Sequence, residues 1–144
     1  MRAAPAALIA ACCLAGCGGK AGQPAPPVDR AGVARSFALA ILHGDTRAAV
    51  ALLESPQALS GSVRRAAAPW AGHHASVRLP GARSGSRYVF GFSGTHPHPD
   101  GRFELVRGDL VVVVGPAAVQ AFTFRHVVTQ FKTHHDSQLL PSDR

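Results

Sequence analysis

Apolar residues at helical spacing predict three helices in the first part of the folded region. Asp29 suits the N-cap of the first helix, and Gly44 suits the position just after its C-terminus. The inward-facing stripe of this helix is formed by Val33, Phe37, Ala40 and Ile41. Asp45 caps a second helix, and a third begins with Ser55 as cap and Pro56 in its first turn, ending before Pro69.

From Ser76 onward the apolar residues recur with a period of two, which predicts strands. The predicted strands cover Val77 to Leu79, 87–92, Phe103 and Leu105 continuing into 110–114, and 119–131. Turns or loops are predicted at Gly81 to Ser86 and at Pro97 to Gly101, and a turn or bulge is predicted at Gly108. The order of elements predicts an α+β domain in which N-terminal helices pack on a curved antiparallel sheet of about four strands.

The segment before this domain has the layout of a secretion signal. Arg2 precedes an apolar run from Ala3 to Ala15, which is shorter than the ~20 residues of a membrane-spanning helix. After Cys17 the chain is rich in glycine and proline. The chain therefore divides into a signal peptide (1–16), a flexible tether (17–27), one α+β domain (28–132) and a polar tail (133–144).

Leu14-Ala15-Gly16-Cys17 resembles the lipobox of bacterial lipoproteins. The resemblance implies that a diacylglyceryl group is transferred to the Cys17 thiol and that the chain is cleaved before Cys17. Two acyl chains hold a protein stably at a bilayer, whereas one chain holds it only marginally. We therefore expect a lipid-anchored protein on the outer face of the cell membrane, with the lipid bilayer as its partner through Cys17.

Charge and cysteine content narrow the range of partners. The chain has 15 Lys and Arg residues against 8 Asp and Glu residues, a formal net charge of +7. Apart from Arg64-Arg65, the basic residues are scattered singly without interleaved aromatic residues, so no nucleic-acid partner is predicted. The charge instead favours attraction to anionic lipid or cell wall. Cys12 and Cys13 fall in the signal peptide, so no disulfide is predicted in the domain.

The stretch from Phe37 to Asp45, with the helix that follows it to Leu53, resembles the opening of the nuclear-transport-factor-like superfamily, also called cystatin-like or ketosteroid-isomerase-like. There a first helix ends at Gly-Asp, and a second carries Ala and Leu on its inner face. The resemblance covers roughly residues 28–132 and implies a curved sheet around a helix, forming a cone with an apolar pocket. The superfamily includes isomerases, dehydratases, ligand-binding modules and interaction domains, so the fold does not choose among these functions.

Six aromatic residues are candidates for the lining of an apolar ligand pocket, with packing in the sheet core as the alternative. They are Trp70, Tyr88, Phe90, Phe92, Phe122 and Phe124. An isomerase of the ketosteroid kind needs a carboxylate base and an oxyanion donor. The polar candidates for such chemistry are Tyr88, Glu104 and His126, but no motif places them together. No catalytic residue and no cofactor are therefore predicted.

His96-Pro97-His98-Pro99-Asp100 is similar to the His-x-His-x-Asp string of metallo-β-lactamase-like hydrolases. Gly101 stands where those enzymes have a further histidine, and the two prolines favour a solvated hairpin turn with both histidines exposed. The pairs His73-His74 and His134-His135 do not chelate easily, because neighbours on a strand point to opposite faces. The sequence therefore predicts no metal site.

The predicted function is that of a membrane-anchored cell-envelope lipoprotein whose domain is a small binding or protein-interaction module. Its further partner is an envelope protein or an apolar small molecule. Two alternatives stay open: an isomerase- or dehydratase-like enzyme with an apolar pocket, and a purely structural envelope protein. A deep pocket around a buried titratable group with a partner favours the enzyme, whereas a filled cone favours the interaction or structural role.

Replacement of Cys17 tests the predicted anchor. We expect Cys17→Ser to abolish acylation and to leave unprocessed or released protein, because the thiol is the acyl acceptor. Metabolic labelling with a clickable fatty acid measures the modification. Cys13→Ser is the matched control and keeps its label. Label retained by Cys17→Ser contradicts the lipoprotein interpretation.

Overall fold

A computed structural model describes residues 26–73, 75–97 and 100–132. Three α-helices come first and an antiparallel sheet of five strands follows, which confirms the predicted α+β class and element order. The helices are α1 (Arg30–Leu42), α2 (Thr46–Ala51) and α3 (Pro56–Ala67), and a 3₁₀ turn (Ala68–Trp70) continues α3. No helix within the described ranges is long and apolar enough to cross a membrane. The predicted signal peptide, most of the predicted tether and the predicted tail lie outside the described residues.

Polar caps, a glycine and a proline set the helix boundaries. The carboxylates of Asp29 and Asp45 each accept a hydrogen bond of 2.9 Å from the backbone amide three residues further on, as predicted for N-caps. Gly44 follows α1 with a φ of 74°, a left-handed conformation that glycine adopts without strain. Ser55 precedes α3, but its side chain makes no capping hydrogen bond. The predicted Ser55 side-chain cap is therefore wrong, and Pro56 presets the first turn instead.

The sheet is open, and its strands lie in the order β1-β3-β4-β5, with β2 also paired to β3. The strands are β1 (Ser76–Val77), β2 (Ala82–Ser84), β3 (Arg87–Pro97), β4 (Phe103–Val114) and β5 (Val119–Lys132). Strand β2 lies in a stretch that was expected to be a loop. It forms because Gly85, with a φ of 60°, allows the chain to fold back so that β2 pairs with the start of β3.

Strand β3 continues to Pro97, beyond its predicted end at Phe92. It pairs with β4 without a break from Arg87 opposite Val113 to Pro97 opposite Phe103, and this ladder keeps the segment extended. The turn that follows is held by Asp100, whose carboxylate accepts hydrogen bonds from the Arg102 backbone amide (3.1 Å) and from Arg102 Nε (2.7 Å). The hydrogen bond and charge of Asp100 raise the pKa of Arg102.

The core lies between α1 and one face of the sheet, here called the inner face. Even-numbered positions of β3 and β4 point to this face and are buried: Tyr88, Phe90, Phe92, Leu110, Val112 and Val114. Helix α1 places Phe37, Ile41 and Leu42 against them, all fully buried. The rings of Phe37 and Phe122 pack together with their centroids 5.2 Å apart. Burial of this apolar surface is the main stabilising contribution to the fold.

Strand β5 pairs with β4 across a β-bulge. His126 and Val127 together lie opposite Gly108, so the expectation of a bulge at this glycine is confirmed. A Cβ at position 108 would lie 3.1 Å from Val127 Cα, and the missing side chain therefore lets the bulged strand approach β4 closely. The extra residue sends Val127 to the inner face, whereas His126 bonds to Asp109 on the opposite, outer face.

Phe37→Ala tests the contact between α1 and the sheet. We expect the free energy of unfolding to fall by about 3–5 kcal/mol, because a fully buried ring leaves a cavity against Phe122. Urea unfolding of the full chain, followed by the fluorescence of Trp70, the only tryptophan, measures this. Arg35→Ala, at an exposed position of the same helix, is the control and should change stability by no more than ~0.5 kcal/mol. A loss below ~1 kcal/mol for Phe37→Ala would show that α1 faces another way.

Candidate functional site

Helix α1 leaves part of the inner face uncovered, and a cleft of about 450 Å³ opens there. The floor of the cleft is formed by the last part of β3, the first part of β4 and residues 124–129 of β5. Its wall is formed by the end of α3 and the 3₁₀ turn. The lining residues are Arg65, Ala66, Pro69, Trp70, Phe92, His96, Glu104, Val106, Phe124, Val127 and Thr129.

Trp70 forms the apolar wall of the cleft. It follows Pro69 at the end of α3 and packs edge-to-face on Phe92, with centroids 5.7 Å apart and planes at 84°. Phe92 in turn packs on Phe124 at 5.4 Å. Gly94 makes room for the indole, because a Cβ at that position would lie 2.4 Å from Trp70 Cζ3. The glycine therefore lets the indole lie directly on the sheet.

His96 supplies a buried polar atom in the cleft. Its Nε2 is buried and has no hydrogen-bond partner within the part of the chain that the structure describes. The imidazole packs against Trp70 with centroids 4.5 Å apart, and the His73 ring lies 6.0 Å away. The prediction that His96 is exposed in a turn is wrong, because β3 extends past it and its even position in the strand points inward. The structure thus places an imidazole among aromatic rings.

Other polar groups lie on the same inner face. Glu104 is directly opposite His96 in the β3–β4 ladder and is half-buried. Arg65 comes from the last turn of α3, and Thr129 of β5 is exposed opposite Val106. The cleft therefore combines an apolar wall with an imidazole and a carboxylate on its floor. Such an arrangement can hold a mainly apolar molecule by one polar group.

The cleft brings together half of the aromatic residues predicted to line a pocket, namely Trp70, Phe92 and Phe124. Phe122 lies elsewhere, packed against Phe37 under α1. Tyr88 and Phe90 are buried near the start of α1, where they border a separate surface depression. The predicted set therefore divides between the cleft and the core.

The three polar residues considered for catalysis lie in three different places. Tyr88 is buried opposite Val112, roughly 27 Å along the strands from the His96–Glu104 pair at ~3.4 Å per residue. Glu104 lies in the cleft, and His126 lies on the outer face beside Asp109. The structure does not assemble a base and an oxyanion donor from these residues.

The histidine motifs give no metal centre within the described ranges. No group of three or more His, Cys, Asp or Glu residues there is placed to hold a metal ion. His74, His98 and the pair His134-His135 lie outside the described residues.

Sequence reasoning named His96 and Glu104 but did not assign them to the pocket. The signal that identifies them is the period of two that runs from Phe92 through Gly94 to His96, since every second residue of a strand points to one face. Pro97 was interpreted as the start of a turn, although a proline is tolerated at the end of a strand.

A scan against protein-family models and searches of curated proteins and of solved structures gave no match. The lining residues offer aromatic surface, the guanidinium of Arg65, the carboxylate of Glu104 and the imidazole of His96, whose Nε2 has no partner among the described residues.

Proposed function

We propose that this protein is a membrane-anchored cell-envelope lipoprotein whose domain binds an apolar small molecule carrying one hydrogen-bonding group. The observation that carries the proposal is the buried Nε2 of His96, which has no partner among the described residues and lies beside the apolar surface formed by Trp70, Phe92 and Phe124. A concave apolar site with few polar groups is the usual form of a small-molecule site, and about 450 Å³ is within the usual range.

In the proposed complex the polar end of the ligand pairs with Nε2 of His96, which it reaches when the Trp70 indole moves off the imidazole. A neutral imidazole donates from one nitrogen and accepts at the other, so Nε2 either accepts from a hydroxyl or donates to a carbonyl. Nε2 has no partner in the ligand-free structure, so a ligand that supplies one binds more tightly than an apolar ligand of the same shape, by ~1–3 kcal/mol. Glu104 and Arg65 both line the cleft and carry opposite charges, so the lining has no net charge that favours an ionic ligand. A neutral alcohol or ketone fits this lining.

The resemblance of residues 37–53 to the nuclear-transport-factor-like superfamily supports a pocket of this kind. In the proposed arrangement the sheet curves around α1 as a cone, with α1 filling one end and the cleft forming the open end. A filled end stabilises the fold, and the open end is free to bind.

The proposed anchor holds the cleft close to a source of apolar molecules. The lipobox-like stretch ending at Cys17 supports acylation of that residue, after removal of the signal peptide 1–16. The Gly/Pro-rich tether 17–27 then allows the domain to move at most roughly 40 Å from the bilayer, at ~3.5 Å per extended residue. Apolar ligands concentrate in the bilayer, so a domain tethered to its outer face encounters them there.

Binding of 1-adamantanol, a rigid apolar cage with one hydroxyl, tests the proposal. We expect saturable quenching or a wavelength shift of the Trp70 fluorescence of the full chain, because Trp70 is the only tryptophan and lines the cleft. His96→Phe keeps the aromatic packing but removes the polar partner, and it should weaken binding about 5- to 10-fold, which corresponds to roughly 1 kcal/mol.

A pair of variants on β5 tests whether the ligand binds in the cleft or elsewhere on the surface. Thr129→Phe places a ring in the cleft and should weaken binding at least about 10-fold by filling the site. Gln130→Phe places the same ring on the neighbouring exposed position, which pairs with Leu105 on the other face, and should leave the affinity unchanged. The absence of saturable binding, or an equal loss in both variants, contradicts the proposed cleft.

A further inference from the structure

The outer face of the sheet carries a second groove of about 610 Å³, on the side opposite to the cleft. Two neighbouring rows of residues, each paired across adjacent strands and here called rungs, lie on this face. One rung comprises Ser76, Ser93, Arg107 and Val128, and the next comprises Arg78, Gly91, Asp109 and Arg125. Cross-strand neighbours share a face, so all these side chains point outward together.

Gly91 leaves the floor of the groove open between two charged side chains. Measured from the position that a Cβ of residue 91 would take, Asp109 Oδ1 is 3.8 Å away and Arg78 Cζ is 4.0 Å away. The carboxylate and the guanidinium therefore approach Gly91 from its two sides. A side chain beyond a methyl group at this position would occupy the groove.

His126 stands beside the groove because of the β-bulge. Its φ of 51° lies in a region that residues with a Cβ rarely adopt. Its Nδ1 lies 3.0 Å from Asp109 Oδ2, which orients the ring, and the side chain is 80% exposed, so Nε2 is accessible to a ligand. The bulge thus presents the imidazole toward the groove that both residues line.

The groove has an excess of positive charge. Arg78, Arg107 and Arg125 share the two rungs with one acidic residue, Asp109, which bonds to His126. Among the described residues, neither Arg78 nor Arg107 has a side-chain hydrogen bond or ion pair. Two guanidinium groups without protein partners over an open floor leave their donors available to an anion.

We propose that this groove is a second ligand site, which binds a phosphate group through Arg78, Arg107, Ser93 and His126. The donors come from the residue after β1 and from β3, β4 and β5, so they are spread across four neighbouring strands around the groove. This suits the tetrahedral oxygens of phosphate better than the two oxygens of a planar carboxylate, and the forked guanidinium matches phosphate geometry. Asp109 is a positioning residue, which accepts from Nδ1–H of His126. Nε2 of the neutral ring is then an acceptor for the P–OH of hydrogen phosphate, a donor that sulfate lacks.

Thermal unfolding of the full chain in sodium phosphate, with sulfate and chloride at equal ionic strength, tests this site. A ligand that binds only the folded state raises the melting temperature, whereas the general salting effect of phosphate is shared by sulfate. We expect phosphate to raise the melting temperature by several degrees more than sulfate does. Arg78→Gln combined with Arg107→Gln should remove this excess, and Arg64→Gln, at an exposed position of α3, should keep it.

Two further variants separate binding from folding. Gly91→Val fills the floor with a residue that favours strands, and His126→Asn keeps a residue that tolerates a positive φ. Both should lower the phosphate-specific rise without lowering the melting temperature in chloride. A wild-type rise no larger in phosphate than in sulfate overturns the proposal. The proposal is also overturned if Gly91→Val or the arginine double variant keeps the additional rise of the melting temperature in phosphate.

Two soluble ligands identify the source of the phosphate. Glycerol phosphate is a monoester, and glycerophosphoglycerol is the diester headgroup of an anionic lipid without its acyl chains. A larger rise with the diester assigns the groove to a lipid headgroup, and a larger rise with the monoester or inorganic phosphate assigns it to a soluble phosphate compound. If glycerol phosphate, glycerophosphoglycerol and inorganic phosphate all fail to raise the melting temperature, the proposed site is overturned.

Discussion

The packing of α1 against the inner face of the sheet is the contact on which the other features depend. Phe37, Ile41 and Leu42 fill the space over the paired strands β3 and β4, and Phe37 also reaches Phe122 of β5. A helix of this length covers only part of strands that extend as far as β3 and β4 do. The uncovered part of the same face becomes the cleft, whose wall is the 3₁₀ turn after α3.

Two glycines, Gly94 and Gly108, and the bulge opposite Gly108 adapt the sheet to the elements packed against it. Gly94 lets the Trp70 indole lie on β3, and Gly108 lets β5 bulge toward β4. The bulge changes which residues of β5 face inward, so Val127 lines the cleft and His126 meets Asp109 on the outer face. One irregularity therefore contributes to both candidate sites, which lie back to back on the sheet.

The local features of the fold were predictable from sequence, and its long-range features were only partly so. Asp29, Gly44 and Asp45 act within one turn of the backbone, so their types alone indicate where helices begin and end. The position of His96 depends on a ladder with β4, which lies further along the chain, and the proline after it suggested a turn. The bulge was expected at Gly108, but the residue that it presents, His126, depends on register that periodicity does not define.

The candidate cleft was likewise only partly predictable from the sequence. The predicted aromatic set included Trp70, Phe92 and Phe124. These residues could be predicted because aromatic side chains on the inner face line any part of that face that the helix does not cover. The polar atom that gives the cleft its chemistry was not assigned to it, since burial of His96 Nε2 depends on Trp70, which belongs to another element.

Amide hydrogen exchange along β3 and β4 tests most directly the claim that α1 fills one half of the inner face and leaves the other half open. The amides of 88–91 and 110–114, under α1, should exchange only through global unfolding. The amides of 95–96 and 104–106, on the floor of the cleft, should exchange roughly 100-fold faster through local opening. Equal protection along both strands would contradict the account, because it would show that the far half is as well covered as the half under α1.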